Sequence, residues 1–326
     1  MSSWLDVVDK NLFRSFHGRL EISEAGQASA TNDQARFALL NSQAILCVKG
    51  EGAEKFLQGQ CTADISSLAV GQSTLGAICT NKGRIISNFR ALRTENSVLL
   101  RMSADIANET LEQIKKYAVF FKAELSVWGP PSAAVVLSEA DLPLDQLPTG
   151  IYANPAENGS VELYAEPGHA EQLFNFLDSK AQIVSESAWY AQQIRCGQTS
   201  INICTIEQYL PHQLNMDKSG AVSFTKGCYT GQEIIARTEY KGKTKRRVLP
   251  TLIEANLGEL HNVKLQINDD SKREIEILVA ANDDSGKTLA ALLLPVEFPV
   301  KGSLLMNEEE VAYQLLELPY SIDINE

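Results

Sequence analysis

Apolar positions along residues 35 to 128 switch between a period of two and a period near 3.6. They predict strand (Phe37 to Val48), helix (Ala53 to Cys61), strand (Thr74 to Thr80), strand (Arg84 to Thr94), a further strand (Ser97 to Met102), helix (Ala104 to Tyr117) and strand (Lys122 to Trp128). Gly50-Glu51-Gly52 and Asn81-Lys82-Gly83 punctuate this series. Its order is the split-βαβ or ferredoxin-like one. A second, weaker unit follows: strand Ala133 to Leu137, strands near Ile151 and Val161 to Tyr164, helix His169 to Leu177, a strand near Ala181 to Val184, and a helix from Trp189. After Gly242 the texture changes to short alternating segments: Arg247 to Leu252, Val263 to Ile267, Glu274 to Ala280, Thr288 to Leu294, Gly302 to Leu305 and Val311 to Leu316. Asn, Asp, Gly and Pro turns separate them, which predicts a small β-barrel or sandwich.

The expected organisation is therefore α+β. Residues 1–130 form a first ferredoxin-like domain completed by 198–243, residues 131–197 a second, and residues 244–326 a C-terminal β-barrel. At 326 residues, 44% hydrophobic and 21% charged, the chain excludes collagen, coiled coil and wholesale disorder. Its longest aliphatic run, Leu289 to Leu294, is six residues, against the roughly 20 that a spanning helix needs. Met1-Ser2-Ser3-Trp4-Leu5-Asp6 lacks a basic-then-apolar leader, so a cytoplasmic protein with no membrane partner is expected.

Cys47, Cys61, Cys79, Cys196, Cys204 and Cys228 contain no CxxC pair. Reduced thiols, most of them core residues, and no tightly bound metal are expected. His17, His169, His212 and His261 have no partner at i,i+4 and offer no metal or Cys–His pattern. Gly50-x-Gly52 before a helix has Lys55 where a dinucleotide fingerprint needs glycine.

Net charge is −12, yet Lys226 to Arg247 carries seven cations and two acids, leaving 22 cations against 39 acids elsewhere. Whole-surface attraction to nucleic acid is excluded, and direct RNA binding through Arg237 to Arg247 is expected to be absent. The cationic segment is read either as a solvated helix end or as a site for an anionic ligand.

Within it stands Thr225-Lys226-Gly227-Cys228-Tyr229-Thr230-Gly231-Gln232-Glu233. Thr230 and Glu233 fit a capping box, which predicts a helix with its N-cap at Thr230 and its end at Gly242. Cys228 would then sit two residues ahead of the cap, where the helix dipole and Lys226 would both favour a thiolate. The alternative is a tight glycine turn in which Cys228 merely fills a pocket.

Lys226-Gly227-Cys228-Tyr229-Thr230-Gly231-Gln232-Glu233, followed by Ala236-Arg237 and Gly242-x-x-Lys245-Arg246, resembles the signature of the YgfZ family of folate-binding tRNA-modifying proteins. That family is related to the T-protein (aminomethyltransferase) of the glycine cleavage system. Gly52-Ala53-Glu54-Lys55-Phe56-Leu57-Gln58-Gly59-Gln60 with Asp64, Asn81-Lys82-Gly83-Arg84 and Leu318-Pro319-Tyr320 extend the resemblance over nearly the whole chain. It implies two ferredoxin-like domains and a terminal β-barrel arranged as a ring around a central folate-binding opening. It also implies tetrahydrofolate as cofactor and iron–sulfur enzymes, such as a tRNA methylthiotransferase, as partners.

On this resemblance Cys228 is the functional thiol, and Lys226 and Arg237 hold charge near it. Tyr229 offers a ring and hydroxyl, Asn88 and Glu162 address the pterin, and Lys82 with Arg84 reach the ligand tail. One departure matters. The T-protein strand after the Asn-x-x-Gly turn ends in two aspartates, whereas this chain reads Gly83-Arg84-Ile85-Ile86-Ser87-Asn88. An amide positions a ligand but has no titratable proton near pH 7, so an accessory role is expected in preference to one-carbon transfer. Glu162, in Gly159-Ser160-Val161-Glu162, is read as either a pterin ligand or a plain exposed strand residue.

Overall fold

A computed structural model describes residues 3–16, 18–23, 35–137, 142–156, 158–256, 264–269, 272–282 and 286–322. His17, His261 and Val263 lie outside the described residues. Among those described, three large sheets, one small hairpin and five α-helices build a mixed α/β fold.

The first sheet runs Ser73–Cys79, Ile85–Arg93, Ser97–Ser103, Gln43–Lys49, Glu124–Trp128, with every neighbouring pair antiparallel. Helices α1 (Ala53–Gln60) and α2 (Ala107–Ala118) lie on one face. The chain order is that of a split βαβ with one strand added after α1. The second sheet runs Ile151–Pro155, Val161–Ala165, Ala133–Val136, Arg36–Leu39, Gln182–Val184. Only its last pair is parallel, because α3 (Ala170–Asp178) carries the chain across from Val161–Ala165.

The single strand expected from Phe37 to Val48 is thus two strands in two sheets. Arg36–Leu39 pairs within the second sheet and Gln43–Lys49 within the first, so the first unit of the sequence lends a strand to the second. The break falls at Leu40–Ser42, where the Asn41 and Ser42 amides donate to the Glu186 carboxylate at 3.1 Å each. Glu186 opens α4 (Glu186–Arg195) and also accepts from the Leu20 amide at 2.8 Å. That bond holds the hairpin Phe13–Phe16/Arg19–Ile22, which no period in the sequence had indicated.

The third sheet runs Leu265–Ile267, Lys301–Met306, Glu309–Leu315, Arg246–Ile253, Thr288–Pro295, Glu276–Asn282, all antiparallel. It curls so that the Ile275 and Ile267 amides donate to the Leu265 and Arg273 carbonyls, at 2.7 and 2.9 Å. Glu308 lies in the turn ahead of the last strand, at positive φ beside Asn307.

The long apolar runs have one cause: these strands are covered on both faces. Along Gln43–Lys49, Ala44, Leu46 and Val48 face α1 and α2, while Ile45 and Cys47 face a core shared by all three sheets. Along Thr288–Pro295, Leu289, Ala291 and Leu293 enter that shared core, while Ala290, Leu292 and Leu294 fill the curled sheet. Side chains alternate every residue, so burial on both sides removes the polar phase from the sequence. Each such Leu or Ile contributes about 1.5–3 kcal/mol, and this shared core binds the units to one another. Among the described residues no helix is long and apolar enough to cross a membrane.

Candidate functional site

Three of the sequence motifs meet at one corner of the first sheet. Gly83 (φ 71°) and Gly231 (φ 85°) form opposed turns, and a Cβ on Gly231 would lie 2.4 Å from the Thr80 carbonyl oxygen and 3.1 Å from Gly83 Cα. The end of α1 joins them, with the Thr230 amide donating to the Gly59 carbonyl at 3.3 Å. Helix α5 (Gln232–Lys241) leaves this corner, and its buried Ile235 enters the shared core. Residues 198–230 wrap beside it: Thr62 Oγ1 donates to the Ala221 carbonyl at 2.6 Å and the Ile85 amide to the Tyr209 carbonyl at 2.9 Å.

The helix begins later than expected. Its N-cap is Gly231, not Thr230, and no side chain caps it. Gly231 takes this place because the approach of Thr80 and a positive φ leave no room for a Cβ. Cys228 is exposed, three residues ahead of the cap, outside the first turn in which a helix dipole acts. Lys226 is turned away from solvent at 9% exposure, and its Nζ donates to the Gln58, Cys61 and Ala63 carbonyls at 2.7, 2.9 and 2.6 Å. Both features expected to prime the thiol are therefore placed elsewhere. Tyr229 packs into the shared core, where burial raises its phenol pKa, so it offers its ring inward. Lys82, Arg84 and Arg237 are exposed at this corner, Arg84 Nη1 donating to the Gln208 carbonyl at 2.6 Å.

Of the six thiols, all free, only Cys47, Cys61 and Cys79 are core residues, fewer than expected. Burial pushes the Cys61 thiol up to about 11 and raises Cys47 and Cys79 as well.

Asn88 and Glu162 belong to a different place, where the three sheets face one another. Asn88, Arg101, Gln193, Gln198, Thr199 and Met216 help line a cavity of about 40 Å³ there, enough for about three waters. Asn88 Nδ2 donates to the Thr199 carbonyl at 2.6 Å, and Asn88 Oδ1 accepts from the Ile201 amide at 2.8 Å. Glu162 is neither exposed nor open to a ligand. At 1% exposure it takes both Arg101 Nε (2.8 Å) and Arg101 Nη2 (3.1 Å), with Tyr164 OH at 2.5 Å and Arg90 Nε at 3.5 Å. These cations hold its pKa below the usual carboxylate range despite burial, and Arg101 also donates to Gln43 Oε1 at 2.7 Å. Arg101, which the sequence reading missed, is the charged group that reaches the cavity wall; the polar phase Ser97–Ser103 should show is hidden because it is buried on both faces.

A pterin fits this wall in kind but not yet in volume. Thr199 Oγ1 is buried without a hydrogen-bond partner, and the side-chain amides of Asn88, Gln193 and Gln198 line the same cavity. The space must widen before a bicyclic ring enters. A larger cleft of about 1040 Å³, between Cys47, Arg93, Trp128, Tyr152 and Glu166, contains none of the expected site residues.

The isolation of the histidines was also misleading. Among the described residues His212, Asp217 and Glu239 bring ligand atoms within 4.8 Å of one another, His212 Nε2 lying 3.1 Å from Glu239 Oε2. Arg247 occupies both Asp217 oxygens, at 2.9 and 2.8 Å, an ion pair that ties the 211–217 segment to the third sheet, while burial lowers the His212 pKa.

No protein-family model matches the chain. A tRNA-modifying protein YgfZ from Cronobacter sakazakii is 30% identical over 308 residues, covering 87% of this chain and 92% of the relative. Its counterpart from Edwardsiella ictaluri is 29% identical over 299 residues, 86% of this chain and 90% of that one. The crystal structure of glycine cleavage system aminomethyltransferase T from Bartonella henselae superposes with a TM-score of 0.64 at 16% identity, covering 88% of this chain and 86% of that one, and so shares its fold. With the motif corner in agreement with 30% identity over 87% of its length, the chain belongs to the YgfZ family of tRNA-modifying proteins.

Proposed function

We propose that the protein is a tetrahydrofolate-binding accessory factor of tRNA modification, serving iron–sulfur enzymes such as a tRNA methylthiotransferase, with Cys228 as its functional thiol. The names of its relatives support the tRNA role, and the fold of aminomethyltransferase T supports folate. Asn88 carries the preference for an accessory over a transferase. Its amide lies at the cavity wall with both ends engaged by backbone, and it has no titratable proton near pH 7.

Asn88, Arg101, Gln193, Gln198 and Thr199 would hold the pterin, and exposed Lys82, Arg84 and Arg237 would meet anionic groups outside. Tetrahydrofolate, when bound, carries one-carbon groups on its nitrogens. The exposure of Cys228, outside that wall, suits a thiol presented to a partner.

Titration with tetrahydrofolate under reducing conditions should show saturable binding that Cys228→Ala leaves intact. The same substitution should abolish methylthiolated nucleosides in the tRNA of cells that depend on this gene. Retention of those nucleosides would end the assignment of Cys228. The second reading, a one-carbon transferase, is favoured by the aminomethyltransferase fold. It predicts methylenetetrahydrofolate from an aminomethyl donor, and our reading predicts none.

A further inference from the structure

We propose that Lys226 is a positioning residue, a staple that fixes the Cys228 loop to the end of α1 by geometry instead of lending its charge to the thiol or to a ligand. This rests on the reading of Cys228 as the working thiol.

An ammonium has three N–H donors, and Lys226 spends all three on backbone carbonyls within six residues of chain, Gln58, Cys61 and Ala63. Those of Gln58 and Cys61 belong to the end of α1, where a helix leaves its last carbonyls without intrahelical partners. The same stretch receives the loop twice more, the Ser223 amide on the Thr62 carbonyl at 2.9 Å and the Thr230 amide on the Gly59 carbonyl at 3.3 Å. Cys228 hangs midway between Lys226 and Thr230, exposed although both flanks are anchored. The buried Tyr229 ring has its centre 5.2 Å from Lys226 Nζ. Arginine carries the same charge but spreads its donors over a planar fork, which cannot point three N–H groups at three carbonyls converging on one atom.

Full-length wild type, Lys226→Met, Lys226→Arg and Cys228→Ala would be compared by amide hydrogen exchange and by iodoacetamide alkylation followed at each cysteine by peptide mass spectrometry. Both Lys226 variants should speed exchange across residues 223–230 by about tenfold or more, because charge-assisted hydrogen bonds are lost. Strand Thr288–Pro295 and alkylation of exposed Cys204 should be unchanged. The midpoint of the pH profile for Cys228 alkylation should not move in Lys226→Met. Wild-type exchange in Lys226→Arg, or a shifted Cys228 midpoint in Lys226→Met, would overturn the staple in favour of a charge role. If Lys226→Met does not fold, Lys226→Arg decides alone by its exchange. Cys228→Ala should leave exchange as in wild type, which separates the staple from the fate of the thiol assignment.

Discussion

Gly231 lies so close over Gly83 that a Cβ on it would stand 3.1 Å from Gly83 Cα, and this contact sets where α5 begins and where the Cys228 loop ends. Gly231→Ala adds a methyl 2.4 Å from the Thr80 carbonyl oxygen at a φ of 85°. It should cost roughly 2 kcal/mol or more. Gly227→Ala, with open space around it and an ordinary φ, should stay within about 0.5 kcal/mol of wild type. Urea unfolding of the two variants checks the contrast.

Arg101 and Glu162 are both buried, and removing Arg101 would leave Glu162 with Arg90, 3.5 Å away, as its remaining cation. Arg101→Met should cost about 3–5 kcal/mol, and the double variant Arg101→Met/Glu162→Met should recover much of that loss. A double-mutant cycle by denaturant unfolding measures the coupling. Additive losses would show that the pair is not what holds the two sheets together here.

Asn88→Asp restores a carboxylate to the strand position where the T-protein resemblance has one, yet it should not restore transfer. The new oxygen would face the Thr199 carbonyl in place of an N–H donor at 2.6 Å. We expect a loss of about 1–3 kcal/mol and no methylenetetrahydrofolate, read by thermal unfolding and by product assay.

Glu186 sets a pH dependence. Burial outweighs its hydrogen-bond donors and pushes its carboxyl up to about 7, against an ordinary 4.5. The folded chain then holds this proton more tightly than the unfolded one. The linked stability is complete below about pH 4.5 and is lost as pH rises through about 7, by about 3 kcal/mol at most. Glu186→Gln should flatten that part of the profile, and its amide nitrogen, facing the Leu20 and Asn41 amides, should lower stability at pH 5. Unfolding free energies of both proteins from pH 5 to 8 provide the measurement.

Much of the architecture was legible because the relevant signals are local. The six strands of the third sheet lie close to the alternating segments expected after Gly242, and each described α-helix starts within a few residues of its expected bound. What failed was long-range. No period distinguishes one strand from two when Phe37 to Val48 is covered on both faces. The separation of 61 residues between Arg101 and Glu162 hides their pairing. The site suffered for the same reason. A capping box at Thr230 is reasonable from spacing alone, but Gly83, distant in the chain, occupies the space beside Gly231 and moves the helix start. Lys226 looked like a cation near a cysteine because its three carbonyl partners lie more than 160 residues earlier.

The three residues from Leu40 to Ser42 carry the chain from an interior strand of one sheet directly into an interior strand of another. A protein stitched in this way has no clean seam. Cutting the gene near residue 130 would leave the second piece without a central strand and the first with that strand unpaired, two raw edges prone to sticking. Neither fragment should fold by itself, and mixing them should restore the whole only if they meet before they aggregate.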